Sequence, residues 1–366
     1  MLGPRALRPL VPWLFLLAGC GAQPPIDPGP EGDYCAEAGS GDDLVPPPPA
    51  EASPPEASEH LFAVSRFYLG RYSLDADDGT PAWGDYGFNL DRTTSPSYEY
   101  CTCYPASSAN GEETRDGPGG RDNVWGKEMM PLLDGAQDGG LEEKLNLDVE
   151  AGSFSWVVRM FGAGDAPSQA GLTAGLYEAA PRTDPEGALL PPAFDGTDVW
   201  PIVKDGVVGF DVDLPLLWFA DAYVVAGPDG SSTWVGRGEG SIRLRLPRPL
   251  DVAVVIDDPI LVLPLSADRT KIARGMLGGS LDPDALAAEI ERAAGNVDPS
   301  YCPPSGPLVL LVNKVRASAD MLAAGAKDTH KECDRASIGI AFDAAAIAGI
   351  GPVVNGPEPA PSPCTP

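Results

Sequence analysis

The sequence predicts a mainly β domain, an antiparallel β-sandwich of jelly-roll-like form, with a small C-terminal helical hairpin. Three stretches alternate between apolar and other residues, as is typical of half-buried strands with one wet face. They are residues 154–160, 208–214 and 242–246. Connections rich in Gly and Pro separate these and other strand-like runs, and many short strands with such punctuation favour a sandwich.

The chain divides into four parts along its length. Residues 1–19 are predicted to be a signal peptide, because Arg5 and Arg8 precede a short apolar run that ends in small residues. Residues 20–60 are rich in Pro and contain no Lys or Arg, which predicts an extended tether. Residues 61–351 form the predicted β-sandwich domain, and residues 352–366 form a second Pro-rich tail.

The strands of the domain follow one another with turns between them. Besides the three alternating stretches, strand-like runs occupy residues 61–72, 222–226, 251–256, 260–265 and 337–342. The pattern then changes, and two helices are predicted near 283–294 and 307–324. Asp282 and Pro283 provide an N-cap and a first-turn proline for the first helix, and Ser305 and Pro307 do the same for the second.

The charge balance is strongly acidic. The chain has 53 acidic residues against 25 basic ones, and its formal net charge is −28 at pH 7. Nucleic-acid binding needs clustered Lys and Arg, so nucleic acid is excluded as an expected partner. The same charge repels anionic membrane surfaces, so any membrane attachment must come from something other than the protein surface.

The end of the leader contains the residues Leu17, Ala18, Gly19 and Cys20. This segment resembles the lipobox of bacterial lipoproteins, in which cleavage falls before the cysteine and that cysteine is acylated. The resemblance covers the first twenty residues and implies that Cys20 carries the lipid anchor. It also implies transfer to the outer membrane, because Gly21 replaces the aspartate that holds such proteins at the inner membrane. Which side of that membrane the domain faces stays open.

Seven cysteines are an odd number for an exported chain, but acylation of Cys20 would leave an even set. The remaining six are disulfide candidates: Cys35, Cys101, Cys103, Cys302, Cys333 and Cys364. A bond between Cys302 and Cys333 would staple the helical hairpin, and one between Cys35 and Cys364 would join the two loose ends. Cys101 and Cys103 are too close in sequence to bond easily to each other, so each is expected to pair elsewhere.

Motifs for catalysis are scarce. Only two histidines occur, His60 and His330, which argues against a histidine-dependent triad or a histidine-rich zinc site. The catalytic alternative is an exported glycosidase-like hydrolase that uses paired carboxylates, for which Asp211 and Asp213 on one strand face are the candidates. Nothing distinguishes this pair from an ordinary solvated strand face.

The richest polar segment lies between residues 75 and 123. Its calcium candidates are Asp75, Asp77, Asp78, Asn89, Asp91, Asp116, Asp122 and Asn123. Asp and Asn oxygens in Gly-rich loops can supply the six to eight ligands that calcium takes. Solvated turns in an acidic protein would show the same residue types, so calcium is a candidate cofactor and no cofactor is certain.

Aromatic residues crowd the same region. They are Tyr68, Tyr72, Trp83, Tyr86, Phe88, Tyr98, Tyr100, Tyr104 and Trp125. Flat rings beside polar groups are what a sugar-binding surface needs, although ordinary core packing uses the same residues. We therefore expect an outer-membrane lipoprotein that presents a non-enzymatic binding or adhesion domain, with a glycan or an envelope protein as its partner. A hydrolase and a purely structural envelope protein are the alternatives.

Overall fold

The computed structural model describes residues 45–74, 82–94, 102–105, 116–136, 139–227 and 231–364. The strands are β1 (Glu59–Tyr68), β2 (Ser155–Phe161), β3 (Gln169–Ala179), β4 (Val199–Val203), β5 (Val207–Val208), β6 (Asp211–Pro215), β7 (Leu217–Ala226), β8 (Ser232–Glu239), β9 (Ser241–Arg245), β10 (Ala253–Leu265), β11 (Lys271–Leu281), β12 (Ala336–Ala346) and β13 (Gly349–Val354). The helices are α1 (Met130–Ala136), α2 (Leu141–Ala151), α3 (Pro283–Val297) and α4 (Gly306–Ala317). A π-helical turn at Trp125–Met129 leads into α1.

Eight antiparallel strands form a barrel-like sheet that closes on itself. Their order is β3-β2-β1-β12-β11-β10-β8-β7, and β7 pairs back with β3. Strand β4 extends the sheet from β3, β13 runs parallel to β4, and β9 pairs with the first half of β10. The prediction of a mainly β chain is confirmed. All strands except the β5–β6 hairpin nevertheless belong to one continuous sheet, and the sequence did not predict this because alternation identifies strands but not their partners.

Large apolar side chains fill the interior of the barrel-like sheet. Phe67, Trp156 and Phe342 are fully buried, and the Phe67 and Trp156 ring centroids lie 5.1 Å apart in an edge-to-face arrangement. Phe219 and Trp234 form a second such pair at 5.7 Å. Edge-to-face aromatic pairs add stabilisation beyond their buried area. The interior is therefore a packed core.

Strand β4 covers the outer face of the barrel-like sheet beside β2. Val157 points away from the interior but is fully buried, because it packs with Trp200 and Ile202 of β4. Ser155 is also fully buried, and its hydroxyl donates to the Val64 carbonyl at 2.8 Å. The prediction that this strand has a solvent-exposed face is therefore wrong, because β4 covers that face.

The helices agree with the prediction in part. Helix α3 begins where expected, and the Asp282 side chain accepts hydrogen bonds from the backbone N–H groups of Asp284 and Ala285. Helix α4 ends at Ala317, earlier than predicted, because the Ser318 hydroxyl donates to the Val315 carbonyl and the chain then turns toward β12. The sequence did not predict α1 and α2. Within the described residues, no helix combines the length and the apolar character needed to cross a membrane.

Both predicted loose segments are partly attached to the domain. In the predicted tether, the Ser53 N–H donates to the Ser168 carbonyl and the Glu56 N–H donates to the Gly162 carbonyl, each at 2.9 Å. In the tail, β13 pairs with β4, and the Ala360 N–H donates to the Asp251 carboxylate at 2.7 Å. Residues beyond the boundaries predicted at 60 and 352 therefore hydrogen-bond to the domain.

Within the described residues, disulfides join Cys103 to Cys333 and Cys302 to Cys364. The predicted pairs Cys302 with Cys333 and Cys35 with Cys364 are wrong. The chain after α4 carries Cys333 away from Cys302, and the C-terminal tail returns along α3, where the Arg292 side chain donates to the Ala360 carbonyl. Cys103 reaches elsewhere, as expected. Cys35 and Cys101 lie outside the described residues.

Candidate functional site

The structure brings several of the predicted calcium candidates together, although Asp75, Asp77 and Asp78 lie outside the described residues. The Asp122 carboxylate accepts the backbone N–H groups of Leu90 at 2.6 Å and of Asp91 at 3.3 Å. Asp91 in turn accepts the Thr93 N–H at 2.8 Å, as does Asn89 at 2.9 Å. These oxygens therefore hold two loop segments together through backbone hydrogen bonds.

Asn123 is a structural junction rather than a free ligand. Its side-chain oxygen accepts the N–H groups of Gly126 at 3.0 Å and Gly339 at 2.9 Å, and its amide donates to the Trp83 carbonyl at 2.9 Å. Asp116 is also described, but among the described residues no group of three His, Cys, Asp or Glu side chains is arranged to hold a metal ion. The calcium interpretation thus gains no support from the described candidates.

A third carboxylate, Asp320, lies close enough to Asp91 and Asp122 to repel them electrostatically. Its two oxygens accept the N–H and the hydroxyl of Ser337. Burial raises the pKa of Asp320 to about 7, and burial together with the neighbouring carboxylates raises the pKa of Asp122 well above its ordinary value. The sequence did not single out Asp320, since 198 positions separate it from Asp122.

Most of the predicted aromatic surface is core. Trp125, Tyr86 and Phe88 are buried, and the Trp125 indole donates to the Leu69 carbonyl at 3.1 Å. The Tyr68 hydroxyl donates to the Asp343 carboxylate at 2.8 Å. Tyr98 and Tyr100 lie outside the described residues. The prediction of one exposed stacking surface is therefore wrong for the buried rings, and Tyr72 is the member of the group that lines a cleft.

This cleft lies between α2, the end of β1 and the start of α1, and has a volume of about 660 Å³. We call it the α2 cleft. Its ionisable side chains are Arg66, Arg71, Asp134, Glu142, Glu143 and Glu150. Tyr72, Ser65 and Asn146 add a phenol ring, a hydroxyl and an amide. The volume lies within the range of about 300–1,000 Å³ found for small-molecule sites, and the lining is more polar than is usual for them.

The α2 cleft exists because α2 takes the place of a neighbouring strand. Strand β1 pairs with β2 only up to Ala63. Beyond that point, the Asn146 side chain accepts the Phe67 N–H at 2.7 Å and donates to the Phe67 carbonyl at 2.9 Å. The Glu142 carboxylate accepts the Leu69 N–H at 2.7 Å. These bonds satisfy the open edge of β1 and fix the wall of the cleft.

Charges inside the α2 cleft are only partly compensated. Arg71 forms an ion pair with the buried Asp134, and its guanidinium lies 5.0 Å from the Tyr72 ring centroid. Burial raises the pKa of Glu142, whereas its backbone hydrogen bond and the two arginines act in the opposite direction. Sequence analysis missed all of these residues except Tyr72. The signal in the sequence was Leu141, Leu145 and Val149, which recur every four residues and form the buried face of α2.

The predicted catalytic pair Asp211 and Asp213 lies on an exposed hairpin made by β5 and β6. The Asp213 carboxylate pairs with Arg159 at 2.5 Å, and the Asp211 carboxylate accepts the Asp213 N–H at 2.9 Å. The Asp213 side chain is 70% exposed. Both residues therefore act in hydrogen bonding on the hairpin, and the structure does not place them in a cleft.

The apolar face of the same segment is exposed. Val208, Phe210 and Leu214 are 51%, 53% and 51% exposed, so the predicted half-buried strand over residues 208–214 is wrong. Gly209 and Phe210 have positive φ angles of 63° and 70°, and the chain reverses there within the stretch that alternates. The alternation continues across the turn, which is why the sequence reads as one strand.

Known proteins give no further identification. The chain matches no protein-family model, no curated protein and no solved structure.

Proposed function

We propose that this protein is an outer-membrane lipoprotein, anchored through acylated Cys20, whose domain binds a polar, sugar-like ligand in the α2 cleft without transforming it. The observation that carries the binding proposal is the cleft itself. It is about 660 Å³ in volume and lined by guanidinium, carboxylate, amide and phenol groups. The anchor is supported by the resemblance of residues 17–20 to a lipobox.

Because the interior of the barrel-like sheet is packed, the α2 cleft is the favoured position for the ligand. Ligands of many closed β-barrels occupy the lumen, but here Trp156, Phe342 and Phe67 fill it. A polar ligand placed among these rings would lose its hydrogen bonds to water without replacement. The α2 cleft, in contrast, offers hydrogen-bond partners on its walls.

The chemistry of the cleft walls fits a polyhydroxylated ligand. Carboxylates accept hydrogen bonds from hydroxyl groups, guanidiniums donate to them, and the Asn146 amide can in principle do both. The ring of Tyr72 offers an apolar surface to the C–H face of a sugar, and Arg71 fixes its position from 5.0 Å.

A glycan array probed with the purified full-length protein tests this proposal. The expected result is binding to a subset of glycans, weakened about three- to tenfold in Tyr72→Leu through the lost ring contact. Tyr104→Leu is the matched control, because Tyr104 is 43% exposed and does not line the cleft. No glycan binding at all, or equal loss in both variants, would contradict the proposal.

A hydrolase is the second candidate function, and Glu142 is the observation that favours it. This carboxyl is half-buried in the cleft, burial raises its pKa, and the ion-paired carboxylate Asp134 lines the same cleft. Two carboxyl groups in different environments are the usual equipment of a glycosidase. Release of reducing ends from a bound oligosaccharide, abolished in Glu142→Gln with binding retained, would establish hydrolysis instead of simple binding.

A further inference from the structure

The charge of the α2 cleft indicates more than a preference for polar ligands. Four carboxylates and two guanidiniums line it. Arg71 and Asp134 neutralise each other in their ion pair, and a second Asp134 oxygen accepts the Leu141 N–H at 2.9 Å. Glu142, Glu143 and Glu150 then face Arg66 alone among the remaining charged residues of the lining. The cleft therefore carries a net negative charge.

The position of the carboxylates on α2 adds a second, independent observation. Glu150 lies in the last turn of the helix, one residue before its end, and that turn contains no basic residue. The C-terminus of a helix carries partial negative charge and is stabilised by cations, so a carboxylate there is unfavourable. A cationic group bound beside Glu150 would compensate both the carboxylate and the helix dipole.

The exposed carboxylates also share one helix face. Glu143 and Glu150 are seven residues apart, with Asn146 between them, so they point in similar directions about 10 Å apart along the helix axis. Both side chains are exposed, whereas Glu142 and Asn146 are committed to the backbone of β1. The exposed pair is thus available to a ligand that extends along α2.

We propose that the α2 cleft selects sugars that carry a protonated amine over the same sugars in acetylated, neutral form. Glu143 and Glu150 supply the charge that recognises the ammonium group, and the Tyr72 ring supports the sugar face. This inference rests on the proposed function, because it assumes that the cleft binds glycans.

Oligomers of glucosamine and of N-acetylglucosamine of equal length test the inference, since they share one backbone and differ in the charge of the amine. Binding of both to the full-length protein is measured by calorimetry at low and high salt. The glucosamine oligomer should bind at least about tenfold more tightly at low salt, and the difference should shrink when salt screens the charges.

Matched variants separate the cleft from the overall charge of the protein. The double variant Glu143→Gln with Glu150→Gln should lose about tenfold in affinity for the glucosamine oligomer and little for the acetylated one. The control is Glu239→Gln with Glu358→Gln, which removes the same formal charge at exposed positions that do not line the cleft.

Each outcome of this experiment decides between the two proposals. Equal binding of both oligomers, or tighter binding of the acetylated one, overturns the amine preference and leaves glycan binding in place. An equal loss in the control variant assigns the preference to the net charge of −28 and also overturns the inference. If neither oligomer binds and the glycan array is also negative, the proposed function itself fails.

Discussion

Asp320 should make the stability of this protein fall as the pH rises, and Asp320→Asn should remove most of that effect. The carboxyl is buried, and its oxygens accept hydrogen bonds from the N–H and the hydroxyl of Ser337. Asn can accept the Ser337 N–H with its oxygen and donate to the Ser337 hydroxyl with its amide. The substitution therefore keeps the shape and the bond from the Ser337 N–H, reverses the bond with the Ser337 hydroxyl, and abolishes ionisation.

The magnitude follows from the pKa of Asp320, which burial raises from 3.8 to about 7. Because the folded-state pKa is higher than the unfolded one, the unfolded chain releases this proton first as the pH rises. Stability is therefore greatest below about pH 4 for this group and declines up to about pH 7. At about 1.4 kcal/mol per pKa unit, the full loss is on the order of 4 kcal/mol. The raised pKa values of Asp91 and Asp122 act in the same direction.

Urea unfolding at pH 5 and pH 8 measures this difference for the wild type and for Asp320→Asn. The variant should gain about 3 kcal/mol relative to the wild type between the two pH values, because about two pKa units of the shift lie above pH 5. Asp165→Asn, at an exposed position, is the control for the loss of one carboxylate. If the wild type and Asp320→Asn lose stability in parallel, Asp320 is not held protonated by its surroundings and the argument is refuted.

Three further predictions concern the anchor, the exposed hairpin and calcium. Cys20→Ser should move the protein from the membrane pellet to the soluble fraction in ultracentrifugation, and continued sedimentation with membranes would refute the lipid anchor. Leu214→Ser should change the free energy of unfolding by less than about 0.5 kcal/mol because the side chain is exposed. Leu244→Ser, at a fully buried position, should cost at least about 2 kcal/mol. Calcium or a chelator should leave the calorimetric melting temperature unchanged, because the described candidates bond backbone N–H groups, and a calcium-dependent rise would restore the calcium interpretation.

Local sequence patterns predicted the elements whose stability is decided locally. The Asp282 cap and Pro283 start α3 as expected, since capping depends on residues next to each other in the chain. In β9, Ile242 and Leu244 are buried while Arg243 lies at the surface and pairs with Asp205 at 3.1 Å. Alternation was sufficient there because one face of the strand meets the core and the other meets solvent.

Prediction failed where a distant part of the chain decides the outcome. The outer face of β2 is buried because β4 packs against it, and nothing in residues 154–160 predicts this contact. In the hairpin, Phe210 adopts a positive φ that is rare for a residue with a side chain, so Gly209 was the only turn residue that could have indicated the reversal. The disulfide partners likewise depend on where the chain travels after α4.

The candidate site was the least predictable part, since its walls are brought together over long sequence distances. Asn146 bonds the backbone of Phe67, which is 79 residues away, and Asp134 pairs with Arg71 across 63 residues. The acidic segment predicted as a calcium site turned out to hold loops together. Several polar groups that line the α2 cleft come instead from α2, whose sequence contains no recognisable functional motif.

Helix α2 divides its polar residues between two tasks, and this division can be tested. Asn146 replaces a strand partner for β1, so Asn146→Ala would leave the N–H and the carbonyl of Phe67 without their bonds. Each unsatisfied buried group costs about 1–3 kcal/mol, so a combined loss of about 2–6 kcal/mol for the two groups should appear in urea unfolding. Glu150→Gln should not lower stability, and the weaker repulsion at the helix C-terminus should raise it by a few tenths of a kcal/mol. Glu150 would then destabilise α2 while lining the cleft, as expected if its charge serves ligand binding and not folding. Equal destabilisation by both substitutions would show that Glu150 also serves the fold, and the argument for a ligand beside it would lose its physical basis.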